Sequence, residues 1–389
     1  MLIAGVLAVA ACGGDADTDE TGTTAADDGV TADTGGDAEE DASADDGEDG
    51  SPDAGGDGFA IDGEFIIDQE TFDAGLAEGT LSIYTVSTEE AALAIAEQFT
   101  ADTGIETQVF RAPGSELTQR ILAESDGGVH AFDIVALTSP ADMDTLNTEG
   151  LLAPYDMPWL HEGLLVPDEI ADDHAYYPLY AYLFLIAANT GVLGDDLEIT
   201  TWEQIVDPQY RGKLGITPAG VGGTGLAQAA FQRDVLGEEY WTKLGEVDPV
   251  IFSTTATVAQ SLAAGEISIG VVAESAIALP ISEGAPVALF YPQEGVIGGV
   301  TYQAVSSNAS SPNAAKVYQA WSLALRGQNV MATRAGTRGI RENVAQPEVG
   351  GMLLRSQDEF DIWWADLPAL GAERDTLVPG WNAAVGYTE

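Results

Sequence analysis

One cysteine, three histidines and 13 cationic side chains are all that this 389-residue chain holds of three chemically demanding types. A single thiol excludes a disulfide framework. Thirteen Lys and Arg against 64 Asp and Glu, a formal net charge of −51, exclude the basic footprint that nucleic acid requires. Such a charge keeps a surface soluble, as salty surroundings demand, and by itself implies no cationic ligand. His130, His161 and His174 sit among loop-like residues without HExxH or close Cys/His spacing, so surface histidines and no metal are expected. No GxSxG elbow is present, and carboxylates are too abundant for any two to be singled out as an acid–base pair. Neither Met1–Ala11 nor Tyr176–Asn189 reaches the ~20 apolar residues of a membrane span. Tyr176–Asn189 is also interrupted by Pro178, and it reads as a buried strand pair or crossover. Tyr180 and Tyr182 lie along it, where a core role is the plainer one, and Tyr180 is also a candidate ligand contact.

What is present divides the chain sharply. Met1–Ala11 is apolar and ends Val9-Ala10-Ala11-Cys12-Gly13, which resembles the end of a bacterial lipoprotein signal peptide with Cys12 as the lipidated residue. The basic segment that opens such peptides is missing, so the true start is expected upstream of Met1. Residues 13–78 are assigned to an acidic, disordered tether. Its charge is densest over Gly13–Gly58, which holds 17 of the acids and no Lys, Arg or aromatic residue. That composition cannot bury enough apolar surface to offset its chain entropy, and its like charges extend it. The remainder, about 310 residues, is long enough for two domains.

From Gly79 strands and helices alternate: Leu81–Val86, a Thr88-capped helix with Ala92, Ile95, Ala96 and Phe99 on one face, then Glu106–Phe110, Ser115–Glu124 and Phe132–Leu137. This order predicts a parallel sheet flanked by helices, with ligands beyond the strands' carboxyl ends. Those ends place Ser87, Thr88, Thr138 and Ser139 as candidates. The densest signal is Tyr210–Gln232 (YRGKLGITPAGVGGTGLAQAAFQ). A short strand over Lys213–Thr217, a glycine-rich turn and a helix beginning near Thr224 would present free N–H groups and a positive dipole end to an anion. Gly222, Gly223, Thr224 and Gly225 are therefore candidates, and the alternative is a tight βα turn that binds nothing. The turn lacks the Lys-Ser/Thr of a P-loop, and the GxGxxG spacing of Gly220, Gly222 and Gly225 is not followed by a clear ribose-binding acid, so a nucleotide is not expected. Gly265–Val272 turns into a strand that ends at Ala273-Glu274-Ser275.

Several of these pieces, in this order, resemble a known family. They are Leu81–Thr103 with Gly104-Ile105, Trp202 to Asp207-Pro208-Gln209-Tyr210-Arg211-Gly212-Lys213, and the Gly-Gly-Thr-Gly turn. Gly237-Glu238-Glu239-Tyr240-Trp241, Leu262-Ala263-Ala264-Gly265-Glu266 and Ser311-Pro312-Asn313-Ala314-Ala315-Lys316 complete the set. Over roughly Gly79–Ala345 the chain resembles bacterial extracellular solute-binding proteins of ABC importers, in the subgroup with ferric-iron and 2-aminoethylphosphonate binders.

The resemblance implies a type II periplasmic-binding-protein fold of class α/β, with two lobes, each a mostly parallel sheet flanked by helices, joined by crossover hinge strands. Lobe one is expected over 79–187 with a return over 299–345, lobe two over 188–298, and a helical segment over 346–389 packing on lobe two. It further implies a binding protein rather than an enzyme, without a cofactor. The expected partners are a small-molecule ligand, an importer permease and the membrane through a lipid on Cys12, for a monomer on the extracellular face of the cell membrane. An enzyme on the same fold would want a lone activated His or Cys in the cleft, and neither is seen. The iron-binding branch places a His, a Glu and two tyrosines at positions matching Thr88, Thr138, Ser275 and Ala276, so all four ligands are absent and iron is disfavoured. With Glu274 placed to meet an amine and Ser275 beside it, the implied ligand is a small organic anion or a zwitterion such as an aminophosphonate.

Overall fold

The computed structural model describes residues 58–161, 163–166 and 170–388. Cys12 and the charge-dense part of the tether lie outside them. The far end of the expected tether is a correction, because residues 58–78 are folded. Strands β1 (Gly58–Ile61) and β2 (Glu64–Asp68) form a hairpin, and helix α1 (Gln69–Glu78) follows. The turn is Asp62-Gly63, both with positive φ, a pairing that two-residue hairpins favour. Ile66, Ile67 and Phe72 are buried, and the Phe59 and Phe72 rings stack at 3.9 Å. Asp68 starts the helix by accepting a hydrogen bond from the Thr71 N–H at 2.8 Å.

The next six elements follow the predicted alternation: β3 (Leu81–Thr85), α2 (Glu89–Thr103), β4 (Thr107–Arg111), α3 (Gly114–Asp126), β5 (Ile134–Leu137) and α4 (Pro140–Thr148). Thr88 caps α2, and Gly104 ends it in the left-handed region at φ 80°. Ala92, Ile95, Ala96 and Phe99 are the face it buries. After β6 (Leu152–Ala153) and a long loop comes β7 (Tyr177–Asn189). It is one 13-residue strand rather than a pair, buried throughout, as expected of a strand covered on both faces. Proline cannot donate to a ladder, and Pro178 sits where the register slips, opposite Tyr302.

The chain then runs through α5 (Thr190–Leu193), β8 (Leu214–Ile216), α6 (Gly222–Asp234), α7 (Glu239–Glu246), β9 (Val250–Ile251) and α8 (Thr255–Ala263). Next are β10 (Ile269–Ala273), α9 (Glu274–Ser282), β11 (Val287–Phe290) and β12 (Val296–Ser306). The final elements are α10 (Pro312–Leu323), α11 (Leu325–Ala335), β13 (Glu348–Val349), β14 (Met352–Leu353), β15 (Ile362–Trp364) and α12 (Leu367–Val385). α1 packs on α10, where the Glu78 carboxylate accepts from the first N–H groups of that helix, Asn313 and Ala314.

The main sheet has 11 strands and runs β4-β3-β5-β12-β7-β10-β8-β9 along its principal path. Its two wings, β4-β3-β5 and β10-β8-β9, are parallel. Strands β12 and β7 between them are antiparallel to each other, and each is antiparallel to the wing it adjoins, β12 to β5 and β7 to β10. The result is two α/β lobes joined by two long crossing strands. α12 lies on α6 and α7 of the second lobe and also touches α4 of the first. No helix among the described residues is long and apolar enough to cross a membrane.

Candidate functional site

Where the parallel strands of both lobes end, the chain turns into helices, and those turns meet. β3 leads to Ser87 and Thr88 before α2, β5 to Thr138 before α4, and β8 to Thr224 in the first turn of α6. β10 leads to Ser275 in the first turn of α9, and Thr255 opens α8. All of these line one cavity of about 90 Å³ between the lobes. Tyr180, Tyr182 and Phe184 of β7, Thr301 of β12 and Thr337 after α11 supply its hinge side. The lining carries ten hydroxyl side chains, apolar groups such as Ile95 and Ala276, and no charged side chain.

Several hydroxyls are already oriented. Ser87 Oγ lies 2.7 Å from Tyr180 Oη. Thr224 Oγ1 donates to Val221 O at 3.2 Å, and Thr255 Oγ1 accepts from Ala273 N–H at 2.8 Å. Thr337 is 7% exposed, and its Oγ1 has no hydrogen-bond partner. Burial, more than its bonds to Ser87 and Thr301 can offset, pushes the Tyr180 phenol's pKa up, so it keeps its proton at neutral pH. Arg111 stands behind the lining, its Nε donating to Ser87 O at 3.3 Å.

Six of the sequence candidates, Ser87, Thr88, Thr138, Tyr180, Thr224 and Ser275, therefore come together. The others stand differently. Ser139 caps α4 by accepting from Asp142 N–H at 3.2 Å. Gly222, Gly223 and Gly225 are not a loop ahead of a helix but the first turn of α6 itself. Gly222 holds φ +54°, and a Cβ on Gly223 would stand 2.1 Å from the Thr138 carbonyl oxygen. Glycine there lets lobe two touch the backbone of lobe one. On Gly225 a Cβ would meet Pro218 O at 2.5 Å, so that glycine serves the close turn.

Glu274 does not reach the cavity lining. It is 2% exposed and accepts from Arg338 Nε at 3.0 Å, Arg338 Nη2 at 2.9 Å and Tyr291 Oη at 2.6 Å. Burial pushes its pKa up, against the opposing pull of Arg338 and Tyr291. Thr255, Thr301 and Thr337 escaped the sequence reading. Thr255 followed the same strand-end rule as the others, just after the capping Thr254. Thr301 lies within a strand and Thr337 in a connection, where no local pattern marks them.

A model described as bacterial extracellular solute-binding protein matches residues 94–352. The chain belongs to that family. Its members are binding proteins for transport rather than enzymes. No curated protein matches the chain. Among solved structures it is similar to the periplasmic binding protein AfuA from Actinobacillus pleuropneumoniae with exogenous fructose-6-phosphate bound, at 20% identity and TM-score 0.68. That match covers 80% of this chain and 99% of AfuA. Iron-bound HitA from Pseudomonas aeruginosa is 20% identical at TM-score 0.63, over 79% of this chain and 99% of HitA. A periplasmic thiamin binding protein is 17% identical at TM-score 0.63, over 79% of this chain and 96% of its own. These likenesses establish a type II periplasmic-binding-protein fold. The chain is thus an extracellular solute-binding protein with its cavity between two lobes.

Thr88, Thr138, Ser275 and Ala276, the positions that the resemblance matches to ligands of the iron branch, all lie on this lining. Ferric iron wants anionic oxygens, and here it would meet three hydroxyls and a methyl group. One group of three metal-ligating side chains, Asp156, His161 and His174, occurs among the described residues, and it shares no residue with the cavity.

Proposed function

We propose that this protein captures a small organic anion in the interlobe cavity and delivers it to an ABC importer. The observation that carries the reading is that the N-terminal ends of α2, α4, α6, α8 and α9 all converge on a lining with no carboxylate, in a chain with 64 acids. Helix N-termini favour negative charge through their unpaired N–H groups and dipoles. Hydroxyls add donors without adding a competing anion. A phosphate, phosphonate or carboxylate head matches such a site, and the similar fold of AfuA holds a phosphate monoester. The aminophosphonate version of this reading relied on Glu274 to meet the ammonium, and that carboxylate is held by Arg338 and Tyr291. A ligand without an obligatory ammonium fits better. Ferric iron through Tyr180 or Tyr182 is the weaker reading, since Tyr180 is hydrogen-bonded to Ser87 and keeps its proton.

In this reading residues 79–187 and 299–345 form one lobe and 188–298 the other, and the protein acts as a monomer tethered through a lipid on Cys12. Cys12→Ala should release it into the medium, and unchanged membrane retention counts against the anchor. The ligand class is tested by mass spectrometry of small molecules that co-purify with the protein. An organic phosphate, phosphonate or carboxylate is expected. A cation, or a metal alone, overturns the reading.

A further inference from the structure

The loop between β6 and β7 holds a group that the cavity does not use. Asp156, His161 and His174 bring one ligating atom each within 4.8 Å of the others. His161 Nε2 lies 3.9 Å and His174 Nε2 3.6 Å from the same Asp156 carboxylate oxygen. The two imidazoles stack at 5.7 Å, and Tyr177 closes in on both, at 6.0 and 6.2 Å. His161 Nε2 is buried and has no hydrogen-bond partner. The backbone holds this grouping in place. Tyr155 N–H donates to His174 O at 3.0 Å, which ties the neighbour of Asp156 to His174. His174 itself holds φ +57°, uncommon outside glycine.

Separations of 3.6 and 3.9 Å are too long for hydrogen bonds between the rings and the carboxylate. They are close to what a shared ion imposes. Nitrogen and oxygen ligands at ~2.0–2.2 Å from a tetrahedral centre stand about 3.4 Å apart. The two separations from the carboxylate need contract by only a few tenths of an ångström, and the imidazole pair, within 4.8 Å of each other, by up to about 1.4 Å. Two imidazoles with one carboxylate are a donor set for zinc, copper or nickel rather than magnesium or calcium, which prefer oxygen alone. The side chains are 57%, 31% and 35% exposed for Asp156, His161 and His174. An ion therefore has access from solvent, and water completes its shell. The chain's net charge of −51 concentrates cations at its surface.

We propose that Asp156, His161 and His174 bind one divalent ion of the zinc class. The ion cross-links the beginning of this loop to its end, next to the point where β7 sets out from lobe one toward lobe two. The site is independent of the solute cavity and does not depend on the identity of the solute.

The test is calorimetric titration of the full chain, freed of metal by a chelator, with zinc chloride, alongside cobalt(II) followed by visible absorption. One equivalent of zinc should bind in the presence of excess magnesium, and one equivalent of cobalt should develop ligand-field bands. His161→Ala and His174→Ala should each weaken zinc binding at least tenfold, given that even outer partners of metal ligands cost 10–100-fold, and should abolish the cobalt bands. Melts in chelator establish that each variant folds, and His161→Gln replaces an alanine variant that does not. The proposal is overturned if the parent binds no zinc in excess magnesium. It is equally overturned if a folded His161→Ala–His174→Ala double variant binds zinc as the parent does.

Discussion

Glu274 and Ser275 are consecutive residues at the start of α9, and the molecule uses them in opposite ways. Glu274 turns to the hinge side and is fully engaged by Arg338 and Tyr291. Ser275 turns to the cavity, where every polar group on the lining is uncharged. Arg338 also exchanges two backbone hydrogen bonds with Ala181 of the crossing strand β7, at 2.8 and 3.1 Å, so its pairing with α9 ties the return segment to lobe two. Charge holds the lobes here, and neutral donors face the ligand. A buried ion pair suits the first task because it has one geometry. Helix termini and hydroxyls suit the second because they favour an anion without presenting it a fixed counter-charge.

The largest expected effect comes from breaking the hinge pair. Glu274→Leu leaves the Arg338 guanidinium, 3% exposed, without its partner, and should cost about 3–5 kcal/mol of unfolding free energy in urea. The double variant Glu274→Leu–Arg338→Met should recover most of that loss, because a buried pair replaced by apolar groups is often neutral. Glu274→Gln should weaken amine-bearing and amine-free ligands alike. A selective loss for amines would return that carboxylate to the binding site.

Gly223→Val comes next. Its Cβ would fall 2.1 Å from Thr138 O, so the two lobes cannot keep their contact. Forced overpacking of about 1–3 kcal/mol corresponds to roughly a 5- to 150-fold loss of ligand affinity. Calorimetry checks the loss, and a thermal melt shows that the variant folds. Thr224→Ala removes one neutral hydroxyl from the lining, and about 0.5–1.5 kcal/mol, a two- to tenfold loss, is expected in the same titration.

The smallest effect sharpens the structural half of the comparison. Asp102 takes two hydrogen bonds at 2.8 Å from Arg326 and one at 3.1 Å from Trp321, tying α2 to α10 and α11. Burial pushes its pKa up, but Arg326, Gln98 and Trp321 outweigh that and hold it below the usual carboxylate range. A depressed folded pKa means stability that is present above the unfolded value of about 4 and lost as pH falls through the folded one. Asp102→Asn should flatten that acid limb in unfolding measured from pH 6 down to pH 2.

The lobes were legible in the sequence because each βα unit carries its own local signals, as in Thr88, the Ala92–Phe99 face and Gly104 around α2. The same locality placed Ser87, Thr138, Thr224 and Ser275 at the cavity, since residues past parallel strand ends must collect on one side of a sheet. The β1–β2 hairpin was missed, because the acidic stretch before it drew residues 58–78 into the tether even though Asp62-Gly63 between apolar residues marks its turn. Glu274 was placed correctly along the chain, but its orientation is set by Arg338, 64 residues away, and no local pattern records that partner. Thr301 and Thr337 reach the cavity only through the crossing strands and the return segment. His161 and His174 meet because a loop folds back, at a spacing that belongs to neither helix nor strand.

The central claim is that an uncharged lining bounded by helix N-termini selects an anion. Calorimetric titration with fructose-6-phosphate, fructose and thiamin compares a phosphate monoester with its neutral parent and with a cation on one protein. The account predicts measurable binding of the phosphate ester alone, weakened by competing inorganic phosphate. Equal or tighter binding of fructose or of thiamin would contradict it.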